Sequence, residues 1–130
     1  MTPLQHILYV DDEPELGAIA QLALEQIGGY RVTLCQNGTE ALAAVAENRP
    51  QLALLDVLMP DMDGPQLLAE LRATPQGAEL PVIFLTGRAD DQSLRQYQAL
   101  GALGTIAKPF DPMTLSEHVQ TLWERQEPPR

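Results

Sequence analysis

Apolar positions along the chain fall into short continuous runs that alternate with helically spaced stripes. The first run, Leu4, Ile7, Leu8, Tyr9 and Val10, stops at Asp11-Asp12-Glu13-Pro14, and a run of that length bounded by breakers predicts a buried strand. Leu16, Ile19, Ala20, Ala23 and Ile27 then recur at 0, +3, +4, +7 and +11, one face of an α-helix. Pro14 suits the first turn of that helix and Gly28-Gly29 its end. Arg31 to Cys35 predicts a second strand, and Asn37-Gly38-Thr39 opens a helix carrying Ala41, Leu42 and Val45, which must end before Pro50. Leu52 to Leu55 predicts a third strand ended by Asp56, after which a loop rich in Pro, Asp and Gly leads to a helix with Leu67, Leu68 and Leu71. Val82 to Leu85 predicts a fourth strand ending at Thr86-Gly87, followed by a helix from Asp90-Asp91 through Leu94, Tyr97 and Leu100 to Gly101. Gly104 to Ala107 predicts a short fifth strand ending at Lys108-Pro109, and Asp111-Pro112 opens a last helix with Leu115, Val119, Leu122 and Trp123 on one side.

Strand–helix units of this kind, with near-continuously apolar strands, predict an α/β fold in which a parallel sheet is covered on both faces. A chain of 130 residues suits one domain, placed at residues 1–125, with 126–130 and its Pro128-Pro129 pair as a tail or the start of a linker. The lone cysteine, Cys35, excludes an intramolecular disulfide or a cysteine-rich zinc site and suits a reducing compartment. No run approaches the roughly 18–20 apolar residues of a membrane span, and the N-terminus lacks the features of a secretory signal, so a soluble cytoplasmic protein is expected. Eighteen acids against eight bases give a net charge of −10, which argues against direct binding of nucleic acid. The charge is uneven: residues 1–70 hold eleven acids and two arginines, residues 71–130 seven acids and six bases.

In an open α/β sheet, ligands bind outside the carboxyl ends of the strands. The residues there are Asp11 and Asp12, Asp56, Thr86 and Lys108, which follow or end the first, third, fourth and fifth predicted strands. Carboxylates crowded together repel unless a cation joins them, and magnesium fits a site of one or two carboxylates with waters and phosphate oxygens. Lys108 is the only lysine in the chain, a compact point charge able to pair with a carboxylate or a phosphoryl oxygen. Helix capping beside Pro14 accounts for one of Asp11 and Asp12 at best. Asp61-Met62-Asp63-Gly64 echoes part of a calcium loop without its downstream glutamate at the required offset. Phosphate-cradling glycine loops and hydrolase elbows are absent. His6, His118 and Cys35 read as surface or packing residues.

The segments Ile7-Leu8-Tyr9-Val10-Asp11-Asp12-Glu13, Leu54-Leu55-Asp56-Val57-Leu58-Met59-Pro60-Asp61-Met62-Asp63-Gly64, Leu85-Thr86-Gly87 and Ala107-Lys108-Pro109-Phe110 together resemble a response-regulator receiver domain of bacterial two-component signalling, over residues 4–125. The resemblance implies a doubly wound, flavodoxin-like five-stranded sheet of order 2-1-3-4-5. It implies that Asp56 accepts a phosphoryl group from a sensor histidine kinase or a histidine phosphotransfer protein. Magnesium is then held by Asp12, Asp56 and the backbone carbonyl of Val57, with Asp11 acting mostly through water. Lys108 pairs with Asp56 and then with phosphoryl oxygens, and Thr86 swings to hydrogen-bond the phosphoryl group. A cis peptide at Lys108–Pro109 is implied as well, and Leu58 and Arg88 fall where the family tunes phosphoryl lifetime. One departure is Thr105, which stands where the family carries a switch aromatic, so that switching falls to backbone shifts or another side chain.

Two other readings compete. An aspartate-nucleophile phosphohydrolase needs an acid two residues after the nucleophile, where this chain has Leu58. A phosphorylation-independent binding module of the same fold is kept open by Thr105. Output is expected through a downstream protein target or a fused output domain, with Arg88, Arg95, Tyr97 and Leu103 as contact candidates.

Overall fold

The computed structural model describes residues 2–88 and 90–126, so Pro128 and Pro129 of the expected tail lie outside the described residues. In chain order the elements are β1 (His6–Val10), α1 (Pro14–Gln26), β2 (Arg31–Cys35), α2 (Gly38–Asn48), β3 (Leu52–Asp56), α3 (Gly64–Arg72), β4 (Val82–Thr86), α4 (Asp91–Ala99), β5 (Gly104–Ala107) and α5 (Leu115–Glu124). All strand pairs are parallel and the sheet order is β2-β1-β3-β4-β5, as expected. No helix among the described residues is long and apolar enough to cross a membrane.

Strand alternation divides the core into two layers. Leu8, Val10, Ala53, Leu55, Val82 and Phe84 face α2, α3 and α4, while Ile7, Tyr9, Leu52, Leu54, Ile83 and Leu85 face α1 and α5. Every residue of β1, β3 and β4 is buried. Each fully buried Leu or Ile contributes about 1.5–3 kcal/mol, so the middle of the sheet is a stiff platform and its ends are where loops can vary.

The helix faces depart from the expected stripes in places. α1 buries Gly17, Ala20, Ala23 and Leu24, while Ile19 and Ile27 stay 45% and 49% exposed. The cause is Gly17, where a Cβ would come within 2.9 Å of Leu34 Cδ1, so the helix docks on its glycine side. Leu100 also lies half exposed, at the cap of α4. α5 begins at Leu115, one turn later than expected: Asp111 instead closes a separate turn, its carboxylate accepting from Met113 N at 2.9 Å and its carbonyl from Thr114 N at 3.1 Å.

Candidate functional site

Sheet register assembles the site. Val10 pairs with Leu55, so the residues that follow them, Asp11 and Asp56, stand side by side. Asp56 pairs with Leu85 and Thr86 with Ala107, which brings Thr86 and then Lys108 to the same edge. All five expected residues, Asp11, Asp12, Asp56, Thr86 and Lys108, therefore meet at the carboxyl ends of β1, β3, β4 and β5.

Asp11 and Asp56 are 0% and 3% exposed, which is rare for carboxylates without partners. Lys108 Nζ lies 3.1 Å from Asp56 Oδ2, 3.5 Å from Asp11 Oδ2 and 3.3 Å from Glu13 Oε1. Asp11 is held further by Glu13 N–H, which donates to Oδ1 at 3.0 Å, and by the Tyr9 hydroxyl, which donates to Oδ2 at 3.3 Å. Neither Asp11 nor Asp12 caps α1, whose N-cap residue is Glu13 without a side-chain cap bond. Capping therefore explains neither acid.

Burial pushes the Asp56 carboxyl up to about 6; the hydrogen bond from Lys108 opposes that rise and the charge of Asp11 adds to it. Burial works against the charge of Lys108, but its hydrogen bond to Asp56 and the charges of Asp11 and Asp56 outweigh it and hold the ammonium above its ordinary value. Burial, then Asp11, pushes the Tyr9 phenol well above its usual range. Asp11, Asp12 and Asp56 each offer a carboxylate oxygen within 4.8 Å of the others. Lys108 is one positive charge beside these three acids and Glu13. Hard oxygen donors in excess of the local cation are the donor set of a magnesium or calcium ion, so the residues fit a divalent metal.

The loop after β3 is shaped by close approach. A Cβ on Gly64 would come within 2.7 Å of the Asp56 carbonyl and 3.1 Å of Val57 Cα, so only glycine lets α3 begin beneath the strand end. Gly64 N–H donates to the Val57 carbonyl at 2.9 Å. The oxygen that the resemblance assigns to metal thus also accepts from the start of α3, which leaves its second lone pair free, and both Val57 and the next residue, Leu58, line the cleft. Asp63 caps α3 in a reciprocal box with Gln66, its Oδ1 accepting from Gln66 N at 2.8 Å. That use accounts for the partial calcium-loop pattern.

Thr86 is buried, and its hydroxyl accepts from Arg88 N at 2.9 Å and donates to Arg88 O at 3.2 Å. With Glu13, Asp56, Leu58 and Lys108 it lines a cleft of about 210 Å³. The Lys108–Pro109 peptide is cis. Thr105 stands opposite Phe84 across the β4–β5 pair, and Phe84 packs on Tyr97 with ring centroids 5.2 Å apart at 55°. Tyr97, expected on the contact surface, is 8% exposed and belongs to the core. Arg88 and Arg95 are exposed and Leu103 is half-buried.

Two participants were not singled out from the sequence. Glu13 is a third carboxylate on Lys108; its only signal was its place after two acids. Tyr9 read as one more apolar residue of a strand, and only strand alternation could have placed its hydroxyl near Asp11. Of the residues set aside, Cys35 is buried with its thiol pushed up to about 11 by burial, then by Glu40. His118 is exposed and His6 is buried.

Residues 7–120 match the family described as the response regulator receiver domain. The chain is 38% identical over 121 residues to the response regulator Rre1 of Synechocystis, covering 93% of this chain and 52% of that protein, so it spans about half the length of this relative. Its structure resembles chemotaxis protein CheY4 of Vibrio cholerae, with a TM-score of 0.83, 31% identity and coverage of 92% and 99% of the two chains. It also resembles a putative response regulator from Chloroflexus aurantiacus, with a TM-score of 0.82, 32% identity and coverage of 95% and 100%. On its order of strands, its edge of acids and lysine and these matches, the chain belongs to the response-regulator receiver domain family.

Proposed function

We propose that Asp56 is the phosphoacceptor of a signalling switch. The observation that carries this reading is a buried Asp56 whose carboxylate is held 3.1 Å from Lys108 inside an acidic trio, open to a cleft on one side. In the proposed step an Asp56 carboxylate oxygen attacks phosphorus as the P–N bond of a phosphohistidine breaks. The imidazole leaves with the bonding electron pair and takes a proton from solvent, and Asp56 becomes an acyl phosphate. Asp12 and Asp56, with a backbone carbonyl of the Val57-Leu58 segment, would hold magnesium, and Asp11 would act through water. Bound there, magnesium supplies positive charge against the transferring phosphoryl oxygens.

Lys108 lies where it can follow its Asp56 contact with one to the phosphoryl oxygens. Thr86 holds its hydroxyl at the same cleft, ready to exchange the Arg88 backbone for the new acceptor. The added charge, about −1.5 to −2, would then move the loop that carries Arg88. Catalysis is limited to self-phosphorylation and slow dephosphorylation, because no acid occupies position 58. Acting in the cytoplasm, the protein has as partners a sensor histidine kinase or histidine phosphotransfer protein upstream and a protein target or a fused output domain downstream.

The test is intact mass after incubation with magnesium and a small acyl phosphate, beside Asp56→Ala. The expected result is a gain of one phosphoryl group, acid-stable and base-labile, that requires both magnesium and Asp56. No gain in a chain shown separately to bind magnesium would replace this reading with a phosphorylation-independent binding module.

A further inference from the structure

The opposite edge of the sheet holds a second polar site. The two arginines of residues 1–70, a stretch with eleven acids, both line one cleft of about 460 Å³ there, together with His6 and Gln51. His6 pairs with Arg31 in the β1–β2 register, and Gln51 precedes Leu52, the partner of Ile7, so Gln51 stands on the other side of His6. Three polar residues thus run across the starts of β2, β1 and β3. Arg49 reaches the same cleft from the end of α2.

Three features of this row lack an explanation within the chain. His6 is 4% exposed and its Nε2 meets Thr33 Oγ1 at 2.8 Å, yet its Nδ1 is the one buried side-chain nitrogen or oxygen without a partner among the described residues. Among those residues neither Arg31 nor Arg49 forms a salt bridge. Arg49 also adopts a left-handed backbone, φ 48°, at a helix end where glycine or asparagine is the usual occupant. The carbonyl end of α2 favours a cation nearby, which accounts for the charge of Arg49 but not for Arg31 or for the bare nitrogen of His6.

The framework of the cleft is fixed. Gln51 Oε1 accepts from Gln5 N at 2.6 Å and His6 N at 3.0 Å, and its Nε2 donates to the Pro3 carbonyl at 3.0 Å. We propose that this cleft binds a small oxyanion, a phosphate or carboxylate group, between the Arg31 and Arg49 guanidinium groups with His6 Nδ1–H as a third donor. Guanidinium forks match the paired oxygens of either group. In the proposed complex the Thr33 hydroxyl donates to Nε2, which places the His6 proton on Nδ1. Burial and then the Arg31 charge pull the His6 pKa down, so the ring serves as a neutral donor near pH 7.

The test is an NMR titration of the histidine ring nitrogens with sodium phosphate in magnesium-free buffer, ionic strength being held constant with sodium chloride. His6 should shift and saturate in the millimolar range while His118 stays still. Affinity should fall at least tenfold in Arg31→Gln and in Arg49→Gly, the latter a substitution that its backbone angle accommodates. Parallel titrations with sulfate and acetate tell a phosphate-type ligand from a carboxylate. A His6 shift that does not saturate with any of the three, or that persists unchanged in both variants, overturns the proposal.

Discussion

The Thr86 hydroxyl and the Arg88 backbone hold each other, Oγ1 accepting from Arg88 N at 2.9 Å and donating to Arg88 O at 3.2 Å. Both hydrogen-bonding roles of the hydroxyl are therefore spent on one loop residue, and any new acceptor at Asp56 must compete with the Arg88 carbonyl. Serine preserves that exchange and alanine abolishes it. We expect Thr86→Ala to take up phosphoryl on Asp56 while the Gly87 and Arg88 amide resonances lose most of their response to phosphorylation, and Thr86→Ser to retain it. An unchanged response in Thr86→Ala would move the trigger elsewhere.

Much of this arrangement is legible in the sequence because strand ends are marked by sharp changes of polarity. Val10 to Asp11, Leu55 to Asp56 and Ala107 to Lys108 each announce both a strand and its functional end. Parallel pairing then aligns those ends without further information. Side-chain direction is less legible. The periodicity of α1 placed Ile19 and Ile27 inward, but the docking of Gly17 on Leu34 turned the helix. Tyr97 falls both on the apolar stripe of α4 and among the contact candidates, and its packing on Phe84 places it in the core. The route of the loop after β3 depends on one backbone bond, Gly64 N–H to the Val57 carbonyl, which no residue pattern announces.

Gly64 supplies a stability test of that route. Its missing Cβ is what separates α3 from the Asp56 carbonyl by an allowed distance. Gly64→Ala places a methyl group against backbone, which cannot move aside as a flexible side chain does, and overpacking of this kind costs about 1–3 kcal/mol. We expect a lower urea midpoint and reduced phosphoryl uptake together. Full stability with normal uptake would show that the loop has slack.

Asp56 makes stability depend on pH in a stated direction. Its carboxyl titrates at about 6 against an ordinary 3.8, so the folded chain keeps a proton that the unfolded chain has released. Raising pH from about 4 to 6 therefore destabilises the fold, by about 3 kcal/mol on linkage, and the loss is complete above 6. In magnesium-free buffer Asp56→Asn should remove this slope, so that the variant gains on the parent protein between pH 4 and 6 and keeps a constant advantage from pH 6 to 8. Urea midpoints across that range check it. A parent-to-variant difference that does not change with pH would mean that Lys108 already holds Asp56 ionised throughout.

Lys108 and a divalent cation compete for the same oxygens. Nζ lies 3.1 Å from Asp56 Oδ2 and 3.5 Å from Asp11 Oδ2, and both acids belong to the trio that fits a metal. Lys108→Met keeps the length of the stem, removes the charge and leaves buried carboxylates uncompensated. Without metal the variant should be less stable, since breaking a buried ion pair costs about 3–5 kcal/mol before relaxation. With magnesium the gap narrows, because a cation facing more negative charge binds more tightly. We expect a lower dissociation constant by calorimetry and a larger stabilisation per millimolar magnesium than in the parent protein. Phosphoryl uptake should nevertheless fall, since the ammonium that would meet the phosphoryl oxygens is gone. Tighter metal binding with weaker uptake assigns Lys108 to the phosphoryl group; weaker metal binding in Lys108→Met would instead make it the residue that positions Asp11 and Asp56.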